Sequence, residues 1–157
     1  MPRDCHDTAL YYLEHRERSV YEVKSHLISK GFQEEEIEEE LNDLKELRFV
    51  DDVRYCSDYL RYGIGKGRGP VRLQMELSEK GIDAALIKEA IEVSFPHQSE
   101  REAAMKEARK LLDRGVRLDD EQTGPDEKTI AKIGRKLASL GYHTDIIYDI
   151  IRQIRKS

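Results

Sequence analysis

GKGRGPVRLQMELSEKG, residues 65–81, carries both the repeat signature of the chain and its densest small basic cluster. The second half of this stretch recurs twice. Leu73, Leu77, Lys80, Gly81, Ile82, Ile87 and Ile91 stand at the same offsets as Val23, Leu27, Lys30, Gly31, Phe32, Ile37 and Leu41. They match again with Ile133, Leu137, Leu140, Gly141, Tyr142, Ile147 and Ile151. Apolar residues eight and four before a glycine share one helix face. The glycine itself marks a stop in the left-handed region, which a residue with a β-carbon enters only at a cost. Apolar residues six and ten after it form the stripe of a second helix, and the one directly after it packs back over the turn. Each copy therefore predicts helix, glycine stop, helix.

Working outward, each glycine turn acquires a helix before it. Residues 4–16 place Ala9, Leu10 and Leu13 at helical spacing beside Tyr12. Ser19 with Glu22 three residues later is a capping box that opens the next helix, predicted to bury Val20, Val23, Leu27 and Ile28. After Gly31-Phe32, Ile37, Leu41, Leu44 and Leu47 thread a stripe through an acidic run. Phe49-Val50-Asp51-Asp52 reads as a joint between modules, with two apolar residues to seal it and an acid to cap the helix that follows. That helix, about 53–62, turns Val53, Cys56, Tyr59 and Leu60 inward together with Tyr55 and Tyr62. Gly63, Gly65, Gly67, Gly69 and Pro70 are then read as ending it, with Pro70 in the first turn of the next helix. Asp83 caps a helix that closes near Ser94-Phe95-Pro96-His97. A third module follows over a charged helix at 98–113 and a polar connector at 114–125 containing Asp119, Asp120, Glu121, Gly124 and Pro125. That connector accounts for an interval of sixty residues between Gly81 and Gly141, against fifty between Gly31 and Gly81. The expected architecture is all-α: three tandem three-helix repeats, residues 1–50, 51–95 and 96–157, forming an elongated curved array.

Composition narrows the function classes. In a chain of 157 residues, charged and hydrophobic residues each make up 38%, which suits slender helices with broad solvated faces. Cys5 and Cys56 form no metal or redox spacing, and neither a signal peptide nor an apolar run of membrane-spanning length is present, so a cytosolic protein with reduced thiols is expected. The net charge of −5 argues against a nucleic-acid backbone as main partner, but the average conceals a segregation. Residues 34–46 carry eight acids against Lys45, a net of −7, whereas residues 54–72 carry five cations against Asp58, a net of +4. Lys66, Arg68 and Arg72 read equally as a mobile basic loop shaped for phosphates or carboxylates and as a flexible connector kept soluble by charge.

Catalytic readings fail. The glycine-rich stretch lacks the Gly-Lys-Ser/Thr ending of a phosphate-binding loop and no strand precedes it. The five histidines fall in no ligand spacing, Cys56 lies on an apolar stripe with no histidine near to activate it, and Asp51-Asp52 and Asp119-Asp120 read as caps and loop acids. No catalytic residue, metal site or cofactor is expected.

The succession Arg18-Ser19 with Glu22, Lys30-Gly31-Phe32, Phe49-Val50-Asp51-Asp52 with Arg54-Tyr55, and Gly69 with Arg72, Glu76-Leu77 and Lys80-Gly81-Ile82 resembles the RecX family of bacterial RecA regulators. The resemblance covers nearly the whole chain and is strongest over 9–91. It implies a cytoplasmic, non-enzymatic monomer that lies in the groove of the RecA–DNA filament and lowers ATPase, strand-exchange and coprotease activity, with at most weak contact to single- or double-stranded DNA. Partner contacts are expected at Arg61, Lys66, Arg68, Arg72, Lys80, Arg152 and Arg155. The alternative is a direct DNA binder that uses a tri-helical module, which requires a basic third helix. Only the last module, with Arg152 and Arg155, meets that requirement.

Overall fold

The computed structural model describes residues 3–115 and 124–156, and among them every regular element is a helix. In chain order these are α1 (Cys5–His15), α2 (Val20–Ser29), α3 (Glu34–Glu46), α4 (Asp52–Gly65), α5 (Pro70–Glu79), α6 (Ala84–Ser94), α7 (Ser99–Gly115), α8 (Glu127–Leu140) and α9 (Thr144–Lys156). The all-α reading holds. Residues 116–123 of the polar connector, with Asp119 and Asp120, lie outside the described residues.

All three repeat glycines adopt positive φ: 87° at Gly31, 74° at Gly81 and 97° at Gly141. Each closes the same pair of bonds, from the glycine N–H and from the N–H after it. Gly31 and Phe32 donate to Ile28 and Leu27, Gly81 and Ile82 to Ser78 and Leu77, and Gly141 and Tyr142 to Ala138 and Leu137, all within 3.0–3.3 Å. This double closure satisfies the carbonyls that a helix end leaves orphaned. Ser19 and Glu22 form the expected capping box, and the Asp51 carboxylate accepts the Val53 and Arg54 amides at 3.0 and 3.1 Å.

The helices gather into two compact units, one of Met1–Tyr59 with Glu76–Ala90, the other of Leu60–Met75 with Ile91–Ser157. The first has a core of Cys5, Ala9, Val23, Leu27, Ile37, Leu41, Leu44 and Val50. The second is built on α7, α8 and α9 around Ala104, Ala108, Ile130, Ile133, Leu137, Ile150 and Ile154. Each fully buried Leu or Ile contributes about 2–3 kcal/mol relative to exposure.

One kind of joint appears in both units. In the first, the buried Ser19 hydroxyl donates to the main-chain oxygen of Lys80 at 2.7 Å, and the Val20 amide donates to Asp52 at 2.9 Å. In the second, the Gly69 amide donates to the Leu140 oxygen at 2.7 Å and the Val71 amide to the Gly141 oxygen at 2.9 Å. Ser19 and Gly69 are equivalent repeat positions, as are Lys80 and Leu140. The start of a middle helix is thus docked on the glycine turn of the following copy; in the second unit free helix-start amides meet free helix-end carbonyls, and in the first the Ser19 hydroxyl takes the place of the amide.

Several packing expectations need correction. Ile28, Leu47, Phe49, Val53 and Tyr62 are exposed. Ile28 lies about 100° around α2 from Leu27, off the stripe. Leu47 follows the last residue of α3, where Arg48 takes φ 61° and swings the chain out of helical register. Val53 sits in the first turn of α4, whose inward face is Tyr55, Cys56 and Leu60. The largest difference is α4 itself, which continues through Gly63 to Gly65 instead of stopping near Tyr62. A β-carbon at Gly63 would run into the Leu73 side chain, so this glycine serves close packing rather than a break.

Candidate functional site

The basic stretch is a hydrogen-bonded turn rather than a mobile loop. Lys66 N–H donates to Tyr62 O at 3.1 Å, Gly67 N–H to Ile64 O at 2.9 Å, and Arg68 N–H to Gly63 O at 2.9 Å. Gly67, with φ 82°, closes α4 as the repeat glycines close theirs. The buried Tyr142 hydroxyl donates to the Gly67 oxygen at 2.7 Å, and the Gly69 amide is held by Leu140. Burial, then Glu107 and Glu100, push the Tyr142 phenol well above its ordinary range, so it remains a donor at any physiological pH.

On this fixed turn, Lys66 Nζ and the Arg68 guanidinium stand 5.6 and 5.5 Å from the centroid of the exposed Tyr62 ring. A cation near an aromatic ring gains roughly 0.5–1 kcal/mol at an exposed site. Together the three side chains also present a planar ring and paired positive charge to a carboxylate or phosphate. Sequence spacing assigns Tyr62 to the core and so does not join it to Lys66 and Arg68, whereas the structure leaves its ring exposed beside them.

The other expected contacts fall elsewhere. Arg72 belongs to the joint, where its Nη1 reaches the Ser139 oxygen at 3.5 Å and its Cβ lies where a Gly141 side chain would go. Lys80, in the first unit, pairs through Nζ with Glu22 at 3.7 Å. Arg155 pairs with Glu127 at 2.8 Å, and Arg152 pairs with Asp149 beside Arg101, Gln153 and Lys156. Arg61 is exposed on α4. Lys66 and Arg68 are therefore gathered into one cluster around Tyr62, and Arg152 and Arg155 lie outside it in sequence, on α9.

The cysteines are poor nucleophiles. Burial, then Glu36, Glu40 and Asp4, push the Cys5 thiol up to about 11, and burial, then Asp52, raises Cys56. No helix among the described residues is long and apolar enough to cross a membrane.

Comparison with known proteins bears on all of this. The family model described as "RecX, first three-helix domain" matches residues 5–44, and "RecX, second three-helix domain" matches residues 51–91. The chain is 36% identical over 140 residues to the regulatory protein RecX of Bacillus licheniformis, covering 88% of this chain and 51% of that one, so it spans about half that relative's length. It is 30% identical over 141 residues to the regulatory protein RecX of Vibrio parahaemolyticus, covering 90% and 85%. Among solved structures, a crystal structure of RecX from Lactobacillus salivarius superposes with a TM-score of 0.78 at 27% identity, covering 98% of this chain and 96% of that one.

Proposed function

The chain belongs to the RecX family of regulatory proteins, and on that premise we propose that it binds RecA assembled on single-stranded DNA and lowers its ATP turnover, strand exchange and coprotease activity. In this reading three modules, 1–50, 51–95 and 96–157, act as a monomeric cytoplasmic wedge in the filament groove. Several weak contacts then add through a shared scaffold. Lys66 and Arg68 over Tyr62 are the leading contact, with Arg61, Arg72, Lys80, Arg152 and Arg155 flanking it.

The observation that carries the reading is the family match across the first two modules, supported by the fixed turn. A turn tied by Tyr142 and Leu140 presents Lys66 and Arg68 with little ordering entropy left to lose on docking. Segregated charge of this kind raises association rate and sets register more than it adds affinity.

The test adds purified protein to preformed RecA filaments and follows ATP hydrolysis and filament length, with a Lys66→Glu/Arg68→Glu variant beside it. Inhibition well below RecA concentration, weakened in the variant with melting unchanged, is expected. No effect at equimolar protein would remove the functional reading and leave the fold standing. Direct DNA binding makes a different demand, a steep loss of affinity for bare DNA as salt rises. It is disfavoured by the pairing of Arg152 and Arg155 with Asp149 and Glu127.

A further inference from the structure

The glycine turns at Gly81 and Gly141 are covered, the first by Tyr21 and the second by Arg72, but a β-carbon at Gly31 would meet no atom within 4 Å. The uncovered turn forms one wall of a cleft of about 520 Å³ in the first unit, within the roughly 300–1,000 Å³ of small-molecule sites. Lys30 and Phe32 come from that turn, Tyr11 and Tyr12 from α1, Arg18 from the α1–α2 link, and Arg3 from ahead of α1.

In an acidic protein this cleft is lined by cations and rings, and no carboxylate is among its lining residues. The Arg3 guanidinium lies 3.8 Å from the Tyr11 ring centroid and that of Arg18 lies 4.0 Å from the Tyr12 centroid. Tyr12 is stacked on its histidine neighbour, His26, at 3.9 Å with the rings 2° from parallel. Arg18 Nε is buried and has no hydrogen-bond partner among the described residues. Leaving a buried donor of a cation unmade is expensive, and an anion is the group that would satisfy it. Burial holds the His26 imidazole below its ordinary range, and the nearby Lys30 and Arg18 add to that shift.

We propose that this cleft binds a nucleoside phosphate, with the phosphate held among Arg3, Arg18 and Lys30 and the base against the tyrosine and phenylalanine rings. Cations supply the counter-charge, and ring and guanidinium planes are the surfaces on which a base stacks. The ligand is either a free nucleotide or the 5′-phosphorylated end of a single strand, which share this chemistry. The site is separate from the Lys66–Arg68 turn and does not depend on filament binding.

The test follows the full chain by two-dimensional NMR while dAMP, deoxyadenosine, inorganic phosphate, a 5′-phosphorylated and a 5′-hydroxyl oligonucleotide, and a polyglutamate peptide are each added to millimolar levels. Saturable shifts centred on Tyr11, Tyr12, His26 and Lys30 are expected with dAMP or the 5′-phosphorylated strand. The tighter of the two identifies the source, and the His26 titration should move upward as bound phosphate offsets Lys30 and Arg18. Arg3→Gln/Lys30→Gln, both positions exposed, should weaken binding about tenfold with melting unchanged. Arg18→Lys should do the same while keeping the charge. The proposal falls if neither nucleotide form shifts these residues, if inorganic phosphate binds as tightly as dAMP, if the 5′-phosphate makes no difference to the strand, or if the peptide alone binds.

Discussion

The Ser19 hydroxyl accepts from the Glu22 amide at 3.1 Å and donates to the Lys80 carbonyl oxygen at 2.7 Å, so one side chain both caps α2 and fastens it to the turn that ends α5. Ser19→Ala removes both bonds and deprives the Lys80 carbonyl of its donor at a part-buried position. The expected loss is about 2 kcal/mol or more, larger than for an ordinary cap. Glu22→Gln keeps the reciprocal bond to the Ser19 amide and should lose well under that. Urea melts of the two variants check the ranking, and equal losses would show the Lys80 bond to be idle.

Glycine-to-alanine substitutions at the repeat turns should not be equivalent. At Gly31 only the left-handed conformation is strained, a penalty of roughly 1–2 kcal/mol. At Gly81 the new β-carbon would also collide with Cβ and Cγ of Tyr21, and at Gly141 with the Arg72 backbone. Gly81→Ala and Gly141→Ala should therefore destabilise clearly more than Gly31→Ala, measured by thermal melting. Similar losses at all three would mean that the joints yield without resistance.

The half-buried carboxylate of Asp52 gives a pH dependence. Burial raises its pKa, against the opposing bond from the Val20 amide and the attraction of Lys45. The folded state therefore holds the Asp52 proton to higher pH than the unfolded chain does, and this residue's contribution to stability falls as pH rises from the ordinary aspartate range through the folded value. Asn at this position retains an oxygen for Val20 without the buried charge. Asp52→Asn should gain on the parent as pH rises above the ordinary aspartate range. A gap that is constant with pH would contradict the assignment.

Tyr62 should matter to the partner and not to the fold. Its ring is exposed, so Tyr62→Ala is expected to leave melting within about 0.5 kcal/mol. Losing the ring under Lys66 and Arg68 should weaken filament binding about threefold, with net charge unchanged. Binding equal to the parent would assign the contact to charge alone.

The glycine register, the capping box and the Asp51 cap were legible in the sequence because each is a local rule acting within a few residues. The reach of α4 through Gly63 and Gly65 was not, since the reason for Gly63 is Leu73 on another helix. Arg48 closes α3 in a left-handed conformation that nothing at that position announces, and this misplaced Leu47. For the candidate site, the basic residues were visible but their support was not: Tyr142 lies 75 positions from the carbonyl it holds. The cleft was missed entirely, because Arg3, Arg18 and Lys30 are distant in sequence and form no charge run.

The joint seen at Lys80 and Leu140 uses a main-chain oxygen as acceptor, and in one copy a main-chain amide as donor. At Lys80 the donor is the Ser19 side chain, whereas at Leu140 both partners are main-chain atoms and the bond itself does not depend on side-chain identity. The outward faces of the copies differ sharply in charge, a net −7 over residues 34–46 in one and Arg152 and Arg155 in another, while the glycine turn recurs in each. Attachment and surface chemistry are thus carried by different atoms, so the charge on a module's outer face can be changed without touching the groups that hold it to the next turn.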